Sequence, residues 1–193
     1  MEFIDLWVSP LEDAGGALKK LEVAPKIAGE SLLVSNNRNE VRRKRKNFLL
    51  VAGAPETGNQ LTQLLVETRY DFMLIRQDLH PGLKVRKRAV RMSKRYETPL
   101  VFPVAPLFSL KPSVIARVRR SLLEVQKWNG LAGLCSGAAR AGELRGGAEM
   151  VSIGILMGLK QEASRNAVFT IPRWIAERAE ARRRQASWGI EEV

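Results

Sequence analysis

With 193 residues, 45% of them hydrophobic and 27% charged, the chain is long enough to bury a core and too apolar for wholesale disorder. Its 32 Lys+Arg against 20 Asp+Glu leave a formal net charge of +12, which speaks to polyanionic partners and solubility, not to fold. The single cysteine, Cys135, excludes an intrachain disulfide and a cysteine-rich zinc site.

In chain order, Phe3 to Val8 reads as a short strand. Ser9-Pro10-Leu11-Glu12 has the form of a capping box with proline at N1, opening a helix to about Leu21. Val23 to Gly29 reads as a loop. Ser31-Leu32-Leu33-Val34 and Phe48-Leu49-Leu50-Val51 are expected strands. Between them Arg38, Arg42, Arg43, Lys44, Arg45 and Lys46 follow the turn-forming Asn36-Asn37. Five consecutive charges do not fit a strand with a buried face, so this basic run is read as a hairpin end or exposed loop.

From Asn59 to Tyr70 the spacing of Leu61, Leu64, Leu65 and Thr68 predicts a helix, and Asp71 to Ile75 a strand. His80-Pro81-Gly82 is a turn. Over Leu83 to Tyr96, Val85, Ala89, Met92 and Tyr96 form an apolar helical stripe. That leaves Lys84, Lys87, Arg88, Arg91, Lys94 and Arg95 on the remaining surface, with Arg86 beside them. A basic strand is the competing reading, since Val85 and Val90 are β-branched. Pro99 to Pro106, with three prolines, reads as an edge strand or extended connector.

A boundary is expected near Leu107–Lys111, dividing an α/β portion (1–108) from a helical portion (109–193) packed on it, the two together also fitting a single domain. Ile115, Val118, Leu122 and Val125 predict a helix. The Gly/Ala-rich stretch Leu131 to Gly147 suits close helix packing or an irregular connection. Met150 to Leu159 is apolar all round and reads as a buried central helix, about half the length of a bilayer span. A last helix starts near Pro172 and runs to about Ser187, with Glu180 and Arg184 as a favourable i,i+4 pair. The fold class is therefore α+β: mixed strands and helices with a basic hairpin, then a mainly helical half.

Charge is uneven along the chain: net −3 over residues 1–35, +10 over 36–96 and +5 over 97–193. Arginine dominates, 21 against 11 lysines, which favours phosphate recognition through the planar guanidinium fork. The candidate nucleic-acid-binding residues are thus Arg38, Arg42, Arg43, Lys44, Arg45, Lys46, Lys84, Arg86, Lys87, Arg88, Arg91, Lys94 and Arg95. Tyr96 is the best placed aromatic for stacking on a base, because Phe48 and Phe72 lie in apolar runs that read as core.

Gly53-x4-Gly58 after an apolar strand has the topology of a phosphate loop, but Asn59-Gln60 stand where such a loop needs Lys and Ser/Thr. It reads as an ordinary connection. His80 reads as a turn residue, Cys135 as an inert packing residue, and Trp128, Trp174 and Trp188 as helix-end residues. The C-terminal Glu191-Glu192-Val193 is a weak signal for carboxylate capture by a partner. No catalytic residue, cofactor or metal site is indicated.

The leading expectation is a non-catalytic nucleic-acid-binding or nucleoprotein-structural protein, RNA rather than DNA, with homo-oligomerisation through the C-terminal helices. A peripheral-membrane, matrix-like assembly protein on anionic lipid is the alternative, in general character like small viral matrix or nucleocapsid proteins though without a motif. A ribosomal or ribonucleoprotein subunit is a further one. The N-terminus lacks the form of a secretory signal, so a cytoplasmic or nuclear, non-membrane-spanning location is expected, with Arg42–Lys46 in the form of a nuclear-localisation patch.

Overall fold

The computed structural model of the protein describes residues 4–6, 32–67, 69–109, 111–138 and 143–187. The expected helix over 9–21, the loop over 23–29, Trp188 and the 191–193 tail lie outside them. Of the strand expected over 3–8, only Ile4 to Leu6 are described, and they belong to no strand.

Five strands form one sheet: β1 (Leu32–Val34), β2 (Leu50–Gly53), β3 (Phe72–Leu74), β4 (Leu100–Pro103) and β5 (Ala132–Cys135). All neighbours are parallel and their spatial order is the chain order. Parallel neighbours need a crossover, and helices supply it. These are α1 (Arg38–Lys44) with a 3-10 turn at Arg45–Asn47, α2 (Gly58–Val66), α3 (Lys87–Arg95), and a 3-10 turn (Ala105–Ser109) followed by α4 (Pro112–Lys127). After β5 come α5 (Gly147–Leu156), α6 (Gln161–Arg165), a π-helical segment (Asn166–Thr170) and α7 (Ile171–Ser187). Pro172 has no N–H to give to an α-helical ladder, and the π segment sits just ahead of it. The α+β class holds, with mixed strands and helices first and a helical C-terminal region.

The basic hairpin does not form. Because β1 and β2 run parallel, Leu32 beside Leu50, no hairpin can join them. The run becomes the crossover helix α1, started by Asn37, whose side chain accepts from Asn39 N and Glu40 N. Only Val41 of α1 is buried, and the basic last turn is favourable beside the negative end of the helix dipole.

Strand alternation sends side chains to two cores. Leu33, Val51, Met73, Leu100, Phe102 and Leu134 point to the crossover helices. Leu32, Leu50, Ala52, Phe72, Leu74, Val101 and Cys135 point to the opposite face, where Ile175, Ala176 and Ala179 of α7 cover them together with Leu6. Phe72 is fully buried and Phe48 packs against the first core, as expected of both.

Three further expectations are corrected. The proline-rich stretch is the interior strand β4, paired on both sides. Pairing with β3 ends at Leu74 beside Val101, so the missing N–H of Pro103 falls beyond it, while Val104 N donates to Cys135 O at 3.0 Å. The Gly/Ala-rich stretch contains β5; there Gly133 lies 3.1 Å, at its would-be Cβ, from Val101, so a small residue lets the strands and α7 close up. Finally, the helix expected over Met150 to Leu159 is α5, which ends at Leu156 and lies at the surface: Met150 and Gly154 are buried, but Ile155 is 44% and Leu156 78% exposed, and the buried Met157 and Leu159 follow its end.

Candidate nucleic-acid interface

The approach to α3 fixes which side chains face outward. Leu83 and Val85 are buried and anchor the incoming segment, and Ala89, Val90 and Ser93 form the inner face of the helix. Met92 and Tyr96 are half-buried, so the expected stripe is shifted slightly toward Val90 and Ser93. Ser93 Oγ donates to Thr98 O at 2.7 Å, tying the helix end to the start of β4. Lys84, Arg86, Lys87, Arg88, Arg91, Lys94 and Arg95 are left exposed.

Among the described residues, none of those seven cations forms an ion pair. Arg91 lies one turn from Lys87, Arg88, Lys94 and Arg95, spacings at which like charges repel. Lys87 and Arg88 also sit at the positive end of the helix dipole. A bound polyanion would relieve both. Arg86, Lys87, Arg88, Arg91, Met92 and Arg95 line a shallow groove of about 640 Å³ along this surface.

The indole of Trp128, at the C-terminal end of α4, collects cations from two helices. Lys87 Nζ lies 3.9 Å from the ring centroid, Arg91 Cζ 5.3 Å and Lys127 Nζ 5.7 Å. Trp128 Nε1 donates to Glu124 Oε1 at 2.8 Å. Trp128 stands at the helix end where its sequence position puts it, but its contact with Lys87, 41 residues away, has no signal in the sequence. Arg117 and Arg120, also of α4, extend the basic surface through a second cleft shared with Lys84 and Arg86. Tyr96 caps α3, with Arg95 Cζ 5.7 Å from its ring, beside but not within the Trp128 cluster.

The first basic run is partly engaged elsewhere. Lys44 Nζ lies 2.7 Å from Glu40 Oε1, and Arg45 turns inward, 3.5 Å from the buried carboxylate of Asp71. Arg38, Arg42, Arg43 and Lys46 are exposed. They stand on the β1–β2 crossover, whereas α3 belongs to the β3–β4 crossover, with α2 between the two. The structure therefore brings the second basic segment together with α4, not with the first run.

The glycine turn is satisfied from within. Asn36 Oδ1 accepts from Ala54 N at 2.7 Å, Gln60 Oε1 from Glu56 N at 2.7 Å, and Thr57 Oγ1 from Gln60 N at 3.2 Å. A Cβ on Gly58 would come 2.9 Å from Lys84 O, so this glycine serves close approach of the 83–86 segment. His80 lies in its turn, with Leu83 N donating to His80 O at 3.0 Å. Cys135 is fully buried, and burial together with the nearby Asp5 charge pushes its thiol pKa well up, as suits an inert thiol. Among the described residues no group of three His, Cys, Asp or Glu could hold a metal, and no helix is long and apolar enough to cross a membrane. No protein-family model matches the chain, and no curated protein matches it.

Proposed function

We propose that this chain is a non-catalytic nucleic-acid-binding protein, with RNA as its polyanion, that grips phosphates along α3 and the adjoining face of α4. The observation that carries this reading is the row of exposed, unpaired cations from Lys84 to Arg95, continued by Arg120 and Lys127. Several cations elsewhere in the molecule do pair, among them Lys44 with Glu40, Arg76 with Asp78 and Arg182 with Asp71. Contacts of this kind position a backbone and confer little sequence preference, which suits a ribonucleoprotein subunit. Arg38, Arg42, Arg43 and Lys46 form an auxiliary patch in this reading, with Lys44 and Arg45 in structural roles.

The test is anisotropy of a labelled single-stranded RNA over a salt series. Each phosphate neutralised steepens the fall of log K with log salt by about 0.7 on single strands. Arg88, Arg91 and Arg95 replaced together by alanine flatten the slope by about 2. Absent or salt-independent binding removes the reading.

One observation supports a second reading. Leu123, Ile155 and Leu156 are 38%, 44% and 78% exposed, and a Cβ placed on Gly158, just beyond α5, would lie 3.1 Å from Leu123 and 3.6 Å from Arg119. Apolar side chains beside cations suit a peripheral, matrix-like attachment to anionic lipid. Co-sedimentation with phosphatidylserine vesicles but not phosphatidylcholine vesicles, lost in Leu156→Asp, would favour it over RNA binding.

A further inference from the structure

Between the 81–86 segment and α4 lies a cleft of about 390 Å³, within the range that takes a small organic ligand. Pro81, Leu83 and Val85 give it an apolar wall, and the exposed Lys84, Arg86 and Arg120 a cationic rim. Its remaining lining is polar: Gln77 is 3% and Ser121 4% exposed, and Arg117 and Glu124 are half-buried.

The hydrogen bonding of that lining is incomplete. Gln77 Nε2 donates to Leu83 O at 2.7 Å and to Ser121 Oγ at 2.9 Å. A carbonyl can only accept, which fixes the amide orientation and leaves Oε1 as the free acceptor. Gln77 Oε1 is buried and accepts from no donor among the described residues. Arg117 Nη2 donates to Gln77 O at 3.3 Å, while its buried Nε has no acceptor among the described residues. Buried polar groups are ordinarily bonded, and here an acceptor and a donor without protein partners lie just behind the wall of one cleft, within reach of a group that enters it once Arg117 shifts. Glu124, the one carboxylate of the lining, already accepts from Trp128 Nε1.

We propose that this cleft captures one unstacked nucleotide of a single-stranded chain. The phosphate lies on Lys84, Arg86 and Arg120. The base enters against Pro81, Leu83 and Val85, and its edge meets Gln77 Oε1 and Arg117 Nε. Arg117, half-buried on a long stem, gives way as the base enters. Every nucleobase offers a donor and an acceptor on its Watson–Crick edge, so the cleft detects an unpaired base more than its identity. A base held in a duplex cannot reach it. The assignment rests on the phosphate-binding reading of α3, and adds strand state to what that surface recognises.

The experiment compares three labelled ligands on the full chain at one salt concentration: a short single-stranded uridine oligonucleotide, an abasic oligonucleotide of equal length and charge, and a duplex. The base-bearing strand is expected to bind about tenfold tighter than the abasic one. Thiouridine in that strand should cross-link to peptides containing 77–86 and 117–121. Ser121→Val, which removes one anchor of the Gln77 amide, should bring the two single strands within about threefold of each other while abasic binding holds. Equal affinity for base-bearing and abasic strands, or cross-links confined to other segments, overturns the cleft and leaves phosphate binding standing. Failure of all three ligands to bind overturns the reading beneath it.

Discussion

Arg182 of α7 closes a fork on Asp71, immediately before β3: Nη1 lies 2.5 Å from Oδ1 and Nη2 3.1 Å from Oδ2. Asp71 Oδ2 also accepts from Val51 N at 2.7 Å, and Arg45 stands 3.5 Å from Oδ1. One buried carboxylate thus ties the last helix, the second strand and the end of the first basic run together.

Removing one member of such a group leaves the others buried and unsatisfied. Asp71→Ala is expected to destabilise by about 3–5 kcal/mol, and Arg182→Ala by somewhat less because Arg182 is a quarter exposed. Urea unfolding followed by circular dichroism measures both. Arg45→Ala should lower stability while leaving the salt slope of RNA binding unchanged.

Trp128 reports on the interface. When α3 takes up phosphate, Lys87 and Arg91 leave the indole face for the ligand, so Trp128 emission changes as RNA saturates the protein. In Trp128→Phe that change is absent although binding persists. An unchanged wild-type emission at saturation would place the RNA away from α3.

Tyr70 is 5% exposed, and its hydroxyl is buried without a hydrogen-bond partner among the described residues. Burial, reinforced by the Glu67 charge, pushes its pKa up to about 12 from 10.0. The folded chain holds this proton more tightly than the unfolded one. The stabilisation is complete below pH 10 and is lost as pH rises toward about 12. Tyr70→Phe should remove that alkaline loss and raise neutral-pH stability by about 1 kcal/mol, since it deletes an unsatisfied group. Thermal melts across the alkaline range read both effects.

A Cβ on Gly154 would lie 2.1 Å from Ser164 Oγ and 3.1 Å from Leu134 Cδ1. Ser164 cannot swing aside freely, because its Oγ donates to Val151 O at 2.7 Å. Gly154→Ala should cost about 1–3 kcal/mol despite alanine's better helix propensity. In a Ser164→Gly background that cost should fall by more than half, which a double-mutant cycle measures.

Much of this fold was legible where one segment sees one environment. Leu61, Leu64 and Leu65 all face the core from α2, and Ala89 marks the buried side of α3, with Val85 buried just ahead of it. What escaped the sequence depends on neighbours. Leu100 to Pro103 becomes interior because β5 lies alongside it, and Ala132 to Cys135 is a strand because β4 pairs with it and α7 closes over Gly133. Ala132 and Gly133 carry little strand propensity of their own, while Val101 and Phe102 favour a strand and Pro103 argues against an interior place for it. Ile155 and Leu156 looked buried because composition reports hydrophobicity and not cover. Likewise, the cations of α3 were visible as a run, whereas their meeting with Trp128 and Arg120 needed the β4–α4 crossover to be in place.

The chain-ordered sheet has a consequence for synthesis. Each strand can dock on its predecessor as it leaves the ribosome, and its crossover helix covers one face as it goes. The other face, with Leu50, Phe72 and Leu74, waits for Ile175, Ala176 and Ala179. At about 5–20 residues per second, β2 stands without that cover for on the order of ten seconds. The nascent chain therefore carries an open apolar sheet until nearly its last helix emerges, and that interval is where chaperones would act and where chains truncated before α7 would aggregate.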